Sequence, residues 1–388
     1  MSKDWRTKLM HPDATVPHGY RSLATPVYRG STTIFEDAAA VNDEWDQERA
    51  GYTYGLYGTP TTLELAARIC EIEGGKHTIV TPGGQAAISL IDLALLGSGD
   101  HILVPNSVYR PNRRLTTGML ARFGVSATFY DPLIGAEIAG LIRETTRLVW
   151  CESPGSVTME VQDVPAIAAA AHERGAIVVL DNTWSAGVLF DAFAHGVDVT
   201  MQALTKYVGG HSDLLLGSVT VRDSEIFRRL GAARAVLGAA VSPDDCSLAL
   251  RGLQTLAVRL GAVETSALEI ARWLSTRPEV ERVLHPALPS CPGHEFWKRD
   301  FAGSSGLFSI VLAPGPTRDR VNAFVDALQL FEIGYSWAGT TSLAVAYAIA
   351  PSPSRPAYDH RLVRLSVGLE ATADLIADLE GAFAALRA

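Results

Sequence analysis

The chain has 388 residues, 47% hydrophobic and 19% charged, which is too many for one ordinary core and reads as a compact soluble protein with a large domain and a smaller companion. Its formal charge of -9 excludes broad nucleic-acid binding, which needs a basic surface to neutralise phosphates. Cys70, Cys151, Cys246 and Cys291 form no C-x-x-C pair, so neither a disulfide framework nor a metal site is expected.

Residues 1–50 are polar and broken by Pro12, Pro17, Pro26 and several glycines, which predicts an arm that packs over another surface such as a neighbouring subunit. The start, Met1 to Arg6, lacks a signal peptide's apolar stretch, and no run reaches the roughly 18 apolar residues of a membrane span. A cytoplasmic protein is expected. From Thr61, the residues Leu63, Leu65, Ala66, Ile69, Cys70 and Ile72 recur at helical spacing and stop at Gly74-Gly75. Short apolar runs then alternate with helical stretches: Thr78 to Val80, His101 to Val104, Arg147 to Trp150 and Ala176 to Leu180. Between the last two, Pro165 to Arg174 opens on proline and closes at Gly175, as a crossover helix does. The sum predicts an α/β fold with a mainly parallel sheet in a large domain over 51–245. Beyond Cys246 come a long helix reaching Leu274, a strand at Leu307 to Leu312, a helix near Val321 to Leu328 and a strand at Arg361 to Val367. That mixture predicts a smaller α+β domain over 246–388.

Two buried runs end on reactive groups: Ala176 to Leu180 delivers Asp181, and a short run from Val199 leads to Thr205-Lys206-Tyr207. Ligands of open α/β sheets lie beyond the carboxyl ends of the strands, where both residues fall. An amine to form a Schiff base and a carboxylate to keep a proton on a pyridine nitrogen are the two requirements of a pyridoxal phosphate (PLP) site. At Thr81-Pro82-Gly83-Gly84-Gln85 a strand turns through two glycines into an apolar helix, offering N–H groups and a helix dipole to a phosphate. Tyr109, after the Ile102 to Val104 run, suits stacking on a planar ring. Each has a plainer reading alone: the lysine solvated, the aspartate a helix cap, the glycines a turn, the tyrosine a surface residue. Their combination favours the cofactor site, and the absence of G-x-G-x-x-G after the early strand counts against a nicotinamide enzyme.

Further motifs accompany these: Tyr52-Thr53-Tyr54-Gly55, Glu152-Ser153-Pro154-Gly155-Ser156, Gly210-His211-Ser212-Asp213, Gly293 to Phe301, and Arg364 to Glu370. As a set, from about Gly51 to the C-terminus, they resemble the Cys/Met-metabolism PLP enzymes. The resemblance implies fold type I of the PLP-dependent transferases and assigns roles. Lys206 would carry the cofactor, take the Cα proton and protonate the leaving sulfur; Asp181 would hold the pyridinium; Tyr109 would stack on the ring. Gly84, Gln85 and Thr205 would bind the phosphate side of the cofactor, and Ser156 the ring hydroxyl. Arg364 would take the substrate α-carboxylate, with Ser336 and Trp337 close by. Tyr54 matches a residue that reaches the neighbouring subunit's phosphate, which implies a homotetramer built from active-site-sharing dimers.

In the family's γ-acting members a glutamate usually stands at the position of Tyr335, whereas its β-lyases resemble Tyr335-Ser336-Trp337. The implied reaction is therefore α,β-elimination of L-cystathionine or a related S-substituted L-cysteine to thiol, pyruvate and ammonia. The alternatives are a γ-lyase, a γ-replacement transferase, a lyase for other cysteine S-conjugates, or a PLP-binding protein without catalysis. The pattern breaks at Leu56 and Tyr57, where the family places arginine, and at Ala203, where many members have a phosphate-binding serine. Arg110, Arg113 and Arg114 stand where the lyases tend to be acidic. Either one of these arginines replaces the lost contact, or the pocket selects a different S-substituent, or the turn is simply solvated. Arg110 and Arg114 are accordingly candidate substrate-binding residues.

Overall fold

The computed structural model describes residues 22–41, 52–353 and 355–387, so most of the arm expected over 1–50 lies outside the described residues. In chain order the large sheet and its helices are α1 (Pro60–Glu73), β1 (His77–Thr81), α2 (Gly84–Leu95), β2 (His101–Pro105), α3 (Arg110–Leu115), β3 (Ser126–Tyr130), β4 (Thr146–Glu152), α4 (Val164–His172), β5 (Ile177–Asp181), β6 (Val199–Gln202), β7 (Gly217–Val221) and α5 (Ser224–Leu237). The strands lie in the order β1-β7-β6-β5-β4-β2-β3. All pairings between β6 and β3 are parallel, and β7 alone runs against its two neighbours. The mainly parallel sheet is as expected. Its centre is dry: Ile102, Leu103 and Val104 on β2, Leu148 to Cys151 on β4 and Val178 to Leu180 on β5 have no exposed surface. Burial on both faces is why these strands read as continuous apolar runs rather than alternating ones.

Helix boundaries follow their caps. Pro60 opens α1, and the left-handed Gly74 closes it with its N–H on the Glu71 carbonyl at 3.2 Å. Asp163 caps α4 by accepting from the Ala166 N–H. Gly217 has a different task. An added Cβ there would stand 2.4 Å from the Gly83 carbonyl oxygen, so only glycine lets β7 approach the turn between β1 and α2.

Beyond the large sheet, α6 (Pro243–Leu274) is one continuous helix of 32 residues, about 48 Å long at 1.5 Å per residue. Near its start, Cys246, Ala249 and Leu250 pack with Leu65, Ile69, Val80 and Leu204 of the large sheet's layer. Near its end, Ala267, Ile270, Ala271 and Leu274 join the core under the second sheet. The division expected at 245/246 thus falls in its first turn. The second sheet comprises β8 (Val280–Leu284), β9 (Leu307–Leu312), β10 (Glu332–Ile333), β11 (Leu343–Ile349) and β12 (Asp359–Ser366) in the order β10-β11-β12-β9-β8. One face carries Ala344, Val363 and Leu365 onto helices α7 (Arg318–Asp326) and α8 (Thr372–Ala382). The opposite face packs Leu362, Tyr347 and Ile349 with Met159 and Trp184 of the large sheet's loops. Arg364 shares the face of Leu362, two residues away, and so points toward the large sheet. Among the described residues no helix is long and apolar enough to cross a membrane.

One core contact is testable by itself. The Trp150 Nε1–H donates to Asp92 Oδ1 at 2.8 Å inside α2, while Oδ2 is buried without a partner. Burial pushes this carboxyl up to about 7. An unfolded aspartate releases its proton near pH ~3.9, so the proton's contribution to stability is full below that value and is lost as pH rises through about 7. Asp92→Asn, which keeps the tryptophan bond, is expected to stabilise the fold by about 2–4 kcal/mol at pH 8 and by less at pH 5. Thermal melts at the two pH values measure this, and a lower melting temperature at pH 8 would contradict it.

Candidate active site

The exits of β5 and β6 bring Asp181 and Lys206 to the same end of the sheet, and Thr183 joins them. Its hydroxyl donates to Asp181 Oδ1, its backbone N–H reaches the same oxygen at 3.0 Å, and the hydroxyl accepts from the Ala203 N–H at 2.9 Å. Ala203 begins the turn in which the Lys206 N–H returns to the Ala203 carbonyl at 3.0 Å. One side chain thereby sets both the carboxylate and the turn that presents the amine. Nothing in the local pattern marks Thr183 for this, although it stands two residues after Asp181.

The amine reaches across to the second sheet. Lys206 Nζ donates to Ser336 Oγ and lies 5.3 Å from the Trp337 ring centroid. Ser336 and Ala338 both have positive φ, 78° and 67°, which is costly for residues with a Cβ. Two bonds hold that bend: Arg364 Nη2 donates to the Ser336 carbonyl at 3.0 Å, and the Ala338 N–H reaches Ser366 Oγ at 3.2 Å. Trp337 packs edge-on against Tyr207 at 5.4 Å, and the Tyr207 hydroxyl in turn accepts from the Gly306 N–H at 2.8 Å. Lys206, Ser336, Trp337 and Arg364 are therefore one cluster.

Its electrostatics suit an amine that must be neutral to react. Burial, helped by the Arg364 charge and opposed by Asp181, brings the Lys206 amine down to about 8. Burial raises the Asp181 carboxyl, against the Thr183 hydrogen bonds and Lys206. A protonated ring nitrogen beside Asp181 would supply a stronger counter-charge. Arg364 is 7% exposed, no carboxylate pairs with it among the described residues, and its Cζ lies 5.5 Å from the Tyr347 ring centroid. A buried guanidinium without an acid partner is a ready receptor for a substrate carboxylate.

At the N-terminus of α2 the helix has no side-chain cap, and an added Cβ at Gly83 would meet nothing within 4 Å. Open space thus faces the helix N-terminus. An added Cβ at Gly84 would instead lie 2.7 Å from the Ala203 Cβ, so Gly84 and the alanine that stands in the serine position are fitted to each other. Gln85 contributes a buried side-chain oxygen with no partner among the described residues. A lysine amine poised near neutrality, a half-buried carboxylate and an uncapped helix end facing open space fit the cofactor expected from the sequence.

The remaining expected residues divide. Tyr109 precedes α3, is 43% exposed, and its backbone N–H donates to Glu152 Oε2 at 2.6 Å. Burial first, then Asp181 and Glu152, raise its phenol, which places it beside the carboxylates. Ser156 lies in the loop after β4, its N–H on the Ser107 carbonyl at 2.8 Å. Thr205 uses its hydroxyl on Leu216, donating to the carbonyl and accepting from the N–H at 3.1 Å each. It fastens the loop after Lys206. Tyr335 is 84% exposed, near enough to Tyr347 and Arg364 to act on their charge. Tyr54, half exposed, precedes the turn Gly55–Tyr57, and no hydrogen bond or ring contact ties it to this cluster among the described residues.

The basic turn is not uniform. Arg113 is tied to the Asn106 carbonyl at 3.1 Å and lies over the Phe129 ring at 3.9 Å, so it is a packing residue. Arg110 and Arg114 remain exposed on α3. The turn at Leu56 and Tyr57 is held by a buried arginine that the sequence reading passed over, Arg234, which donates to their carbonyls at 2.9 and 3.4 Å. Tyr347 is likewise unmarked in the sequence, and Glu152 stands in a motif without a role of its own.

Comparison with known proteins agrees with this geometry. The family model for Cys/Met metabolism PLP-dependent enzymes matches residues 6–384. The chain is 47% identical over 375 residues to a putative cystathionine beta-lyase of Rhizobium johnstonii, covering 96% of this chain and 93% of that one. It is 40% identical to the cystathionine beta-lyase MetC of Escherichia coli, covering 97% and 98%. The crystal structure of metB from Corynebacterium glutamicum superposes with a TM-score of 0.86 at 30% identity, covering 99% and 98%. A PLP-dependent α/β enzyme is the class that this fold and site define. The chain belongs to the Cys/Met metabolism PLP-dependent enzymes, and its cofactor is pyridoxal 5'-phosphate.

Proposed function

We propose that the protein is a carbon–sulfur β-lyase that converts L-cystathionine, or a related S-substituted L-cysteine, with water to a thiol (homocysteine from cystathionine), pyruvate and ammonia. The observation that carries this reading is the Tyr335-Ser336-Trp337 segment, with Ser336 hydrogen-bonded to Lys206 and to Arg364 at once. The relatives named as cystathionine beta-lyases support the sulfur substrate.

Arg364 would take the α-carboxylate and orient Cα toward Lys206. The cofactor supplies an electron sink for the pair released when the Cα–H bond breaks. Lys206 Nζ takes that proton, the Cβ–S bond breaks with its electron pair leaving on sulfur, and Lys206 returns a proton to the thiolate. Asp181 would hold a proton on the ring nitrogen. Ser336 aims the amine, and Trp337 shields it from water. Gly84 and Gln85 would bind the phosphate, while Thr205 braces their neighbour. Tyr109 would stack on the ring and Ser156 would hold its hydroxyl.

Exposed Arg110 and Arg114 favour a second reading of the distal pocket, in which the S-substituent differs from cystathionine's zwitterionic end. We also infer a cytoplasmic homotetramer of active-site-sharing dimers. It is supported by four free cysteines and by exposed aromatic and aliphatic residues that a second copy would cover, among them Tyr52, Tyr54 and Val258. Product analysis tests the reaction: pyruvate is expected, and 2-oxobutyrate would overturn β-elimination in favour of γ chemistry.

A further inference from the structure

Glu152 is 8% exposed, and no lysine, arginine or histidine pairs with it among the described residues. It stands directly opposite Asp181 in the parallel register of β4 and β5, so both carboxyls leave the sheet on the same side. The Tyr109 N–H donates to its Oε2 at 2.6 Å, and the Ser156 N–H, on the Ser107 carbonyl, also bears on it. The two residues assigned to the cofactor ring from opposite ends of the site thus meet at one buried carboxyl. Two adjacent carboxylates, one buried and one half-buried, repel each other, and the available cations favour one of them. Lys206 and the ring nitrogen both belong to Asp181, which also has the Thr183 hydroxyl bond. Burial and the Asp181 charge together raise the Glu152 carboxyl well above the usual carboxylate range.

We propose that Glu152 is a positioning residue that sets Tyr109 and Ser156 against the cofactor ring, and that it does so as a neutral carboxyl while Asp181 alone carries the negative charge. The inference rests on the placement of Tyr109 and Ser156 at the ring. It accounts for a glutamate buried without a counter-ion beside the residue that must stay ionised. A neutral carboxyl accepts the Tyr109 N–H through its carbonyl oxygen without weakening the pairing of Asp181 with the ring nitrogen.

The test uses purified holoenzyme as wild type, Glu152→Gln and Glu152→Ala, with cofactor dissociation constant, visible circular dichroism and pH titration of the cofactor's visible band as readouts. Glu152→Gln keeps a neutral acceptor and is expected to leave the titration midpoint within about 0.3 pH units of wild type and to retain the circular dichroism band. Glu152→Ala removes the acceptor and is expected to weaken cofactor binding about tenfold or more and to diminish that band. A midpoint lowered by about one unit in Glu152→Gln would show that an ionised carboxylate had been removed, and would overturn the neutral form. Wild-type values in Glu152→Ala would overturn the positioning role. If Glu152→Ala does not fold, the Glu152→Gln dichroism and midpoint decide. A wild-type protein with no visible band would instead overturn the cofactor assignment on which all of this rests.

Discussion

Lys206→Ala is expected to lower turnover by about 10^4-fold or more and to remove the visible band of lysine-bound cofactor. In the proposed reaction the amine has three tasks at one point in space: it would hold the cofactor, take the Cα proton and return a proton to sulfur. No other amine approaches Asp181 or Arg364 among the described residues. Ser336 and Trp337 are both arranged around Nζ. Lys206→Arg is expected to fail as well, because guanidinium stays charged where the lysine, brought down to about 8 by burial and by Arg364, is partly neutral near pH 7. The same shift predicts that cofactor capture by the wild-type apoenzyme accelerates about tenfold per unit of pH below about 8 and levels off above it. Absorbance spectra, stopped-flow capture and turnover of a cysteine thioether measure these effects. Turnover within about tenfold of wild type in Lys206→Ala would show that the proton is moved elsewhere.

Asp181→Asn is expected to cost about 10^2- to 10^3-fold in kcat with little change in KM. Asparagine has the same shape and can still accept from the Thr183 N–H and hydroxyl, so the turn that presents Lys206 is preserved. It cannot hold a proton on the ring nitrogen by charge, and the electron sink is weakened when the Cα–H bond breaks. KM is expected to change little because Arg364, on the other sheet, would take the carboxylate. Folding is not expected to suffer, since burial already raises the Asp181 carboxyl and a neutral amide avoids that desolvation. Steady-state kinetics on cofactor-saturated enzyme, with a thermal melt as control, measure both parts. A variant with unchanged kcat would remove Asp181 from the reaction.

The strands that position this chemistry were legible because they are buried on both faces, as at Leu148 to Cys151 and Val178 to Leu180, and such strands keep their apolar runs. The same burial put Asp181 at a strand end, where a carboxylate stands out. Strand β7 was not legible. Gly217-Ser218-Val219-Thr220-Val221 is small and half polar because it must pass under the Gly83 turn and pair with two antiparallel neighbours. Nor was the Lys206–Ser336–Arg364 cluster legible from spacing, since 130 residues separate the first pair and only the docking of the second sheet brings them together. The basic turn shows the opposite limit. Three arginines alike in sequence become a packing residue, Arg113, and two exposed ones, and Phe129 on a neighbouring strand makes the difference. Glu152 opens one of the motifs but has no role of its own in the sequence, because its meaning comes from the register with Asp181 on the neighbouring strand.

The most direct test of a β-elimination centred on Lys206 and Asp181 is a single incubation of purified holoenzyme with L-cystathionine, L-cystine and several S-substituted cysteines, with pyruvate, 2-oxobutyrate and free thiol followed together. Pyruvate and thiol rising in equal amounts from at least one of them, with no 2-oxobutyrate and no product in Lys206→Ala, is the predicted result. Formation of 2-oxobutyrate as the main product, or thiol release that persists in Lys206→Ala, would contradict it.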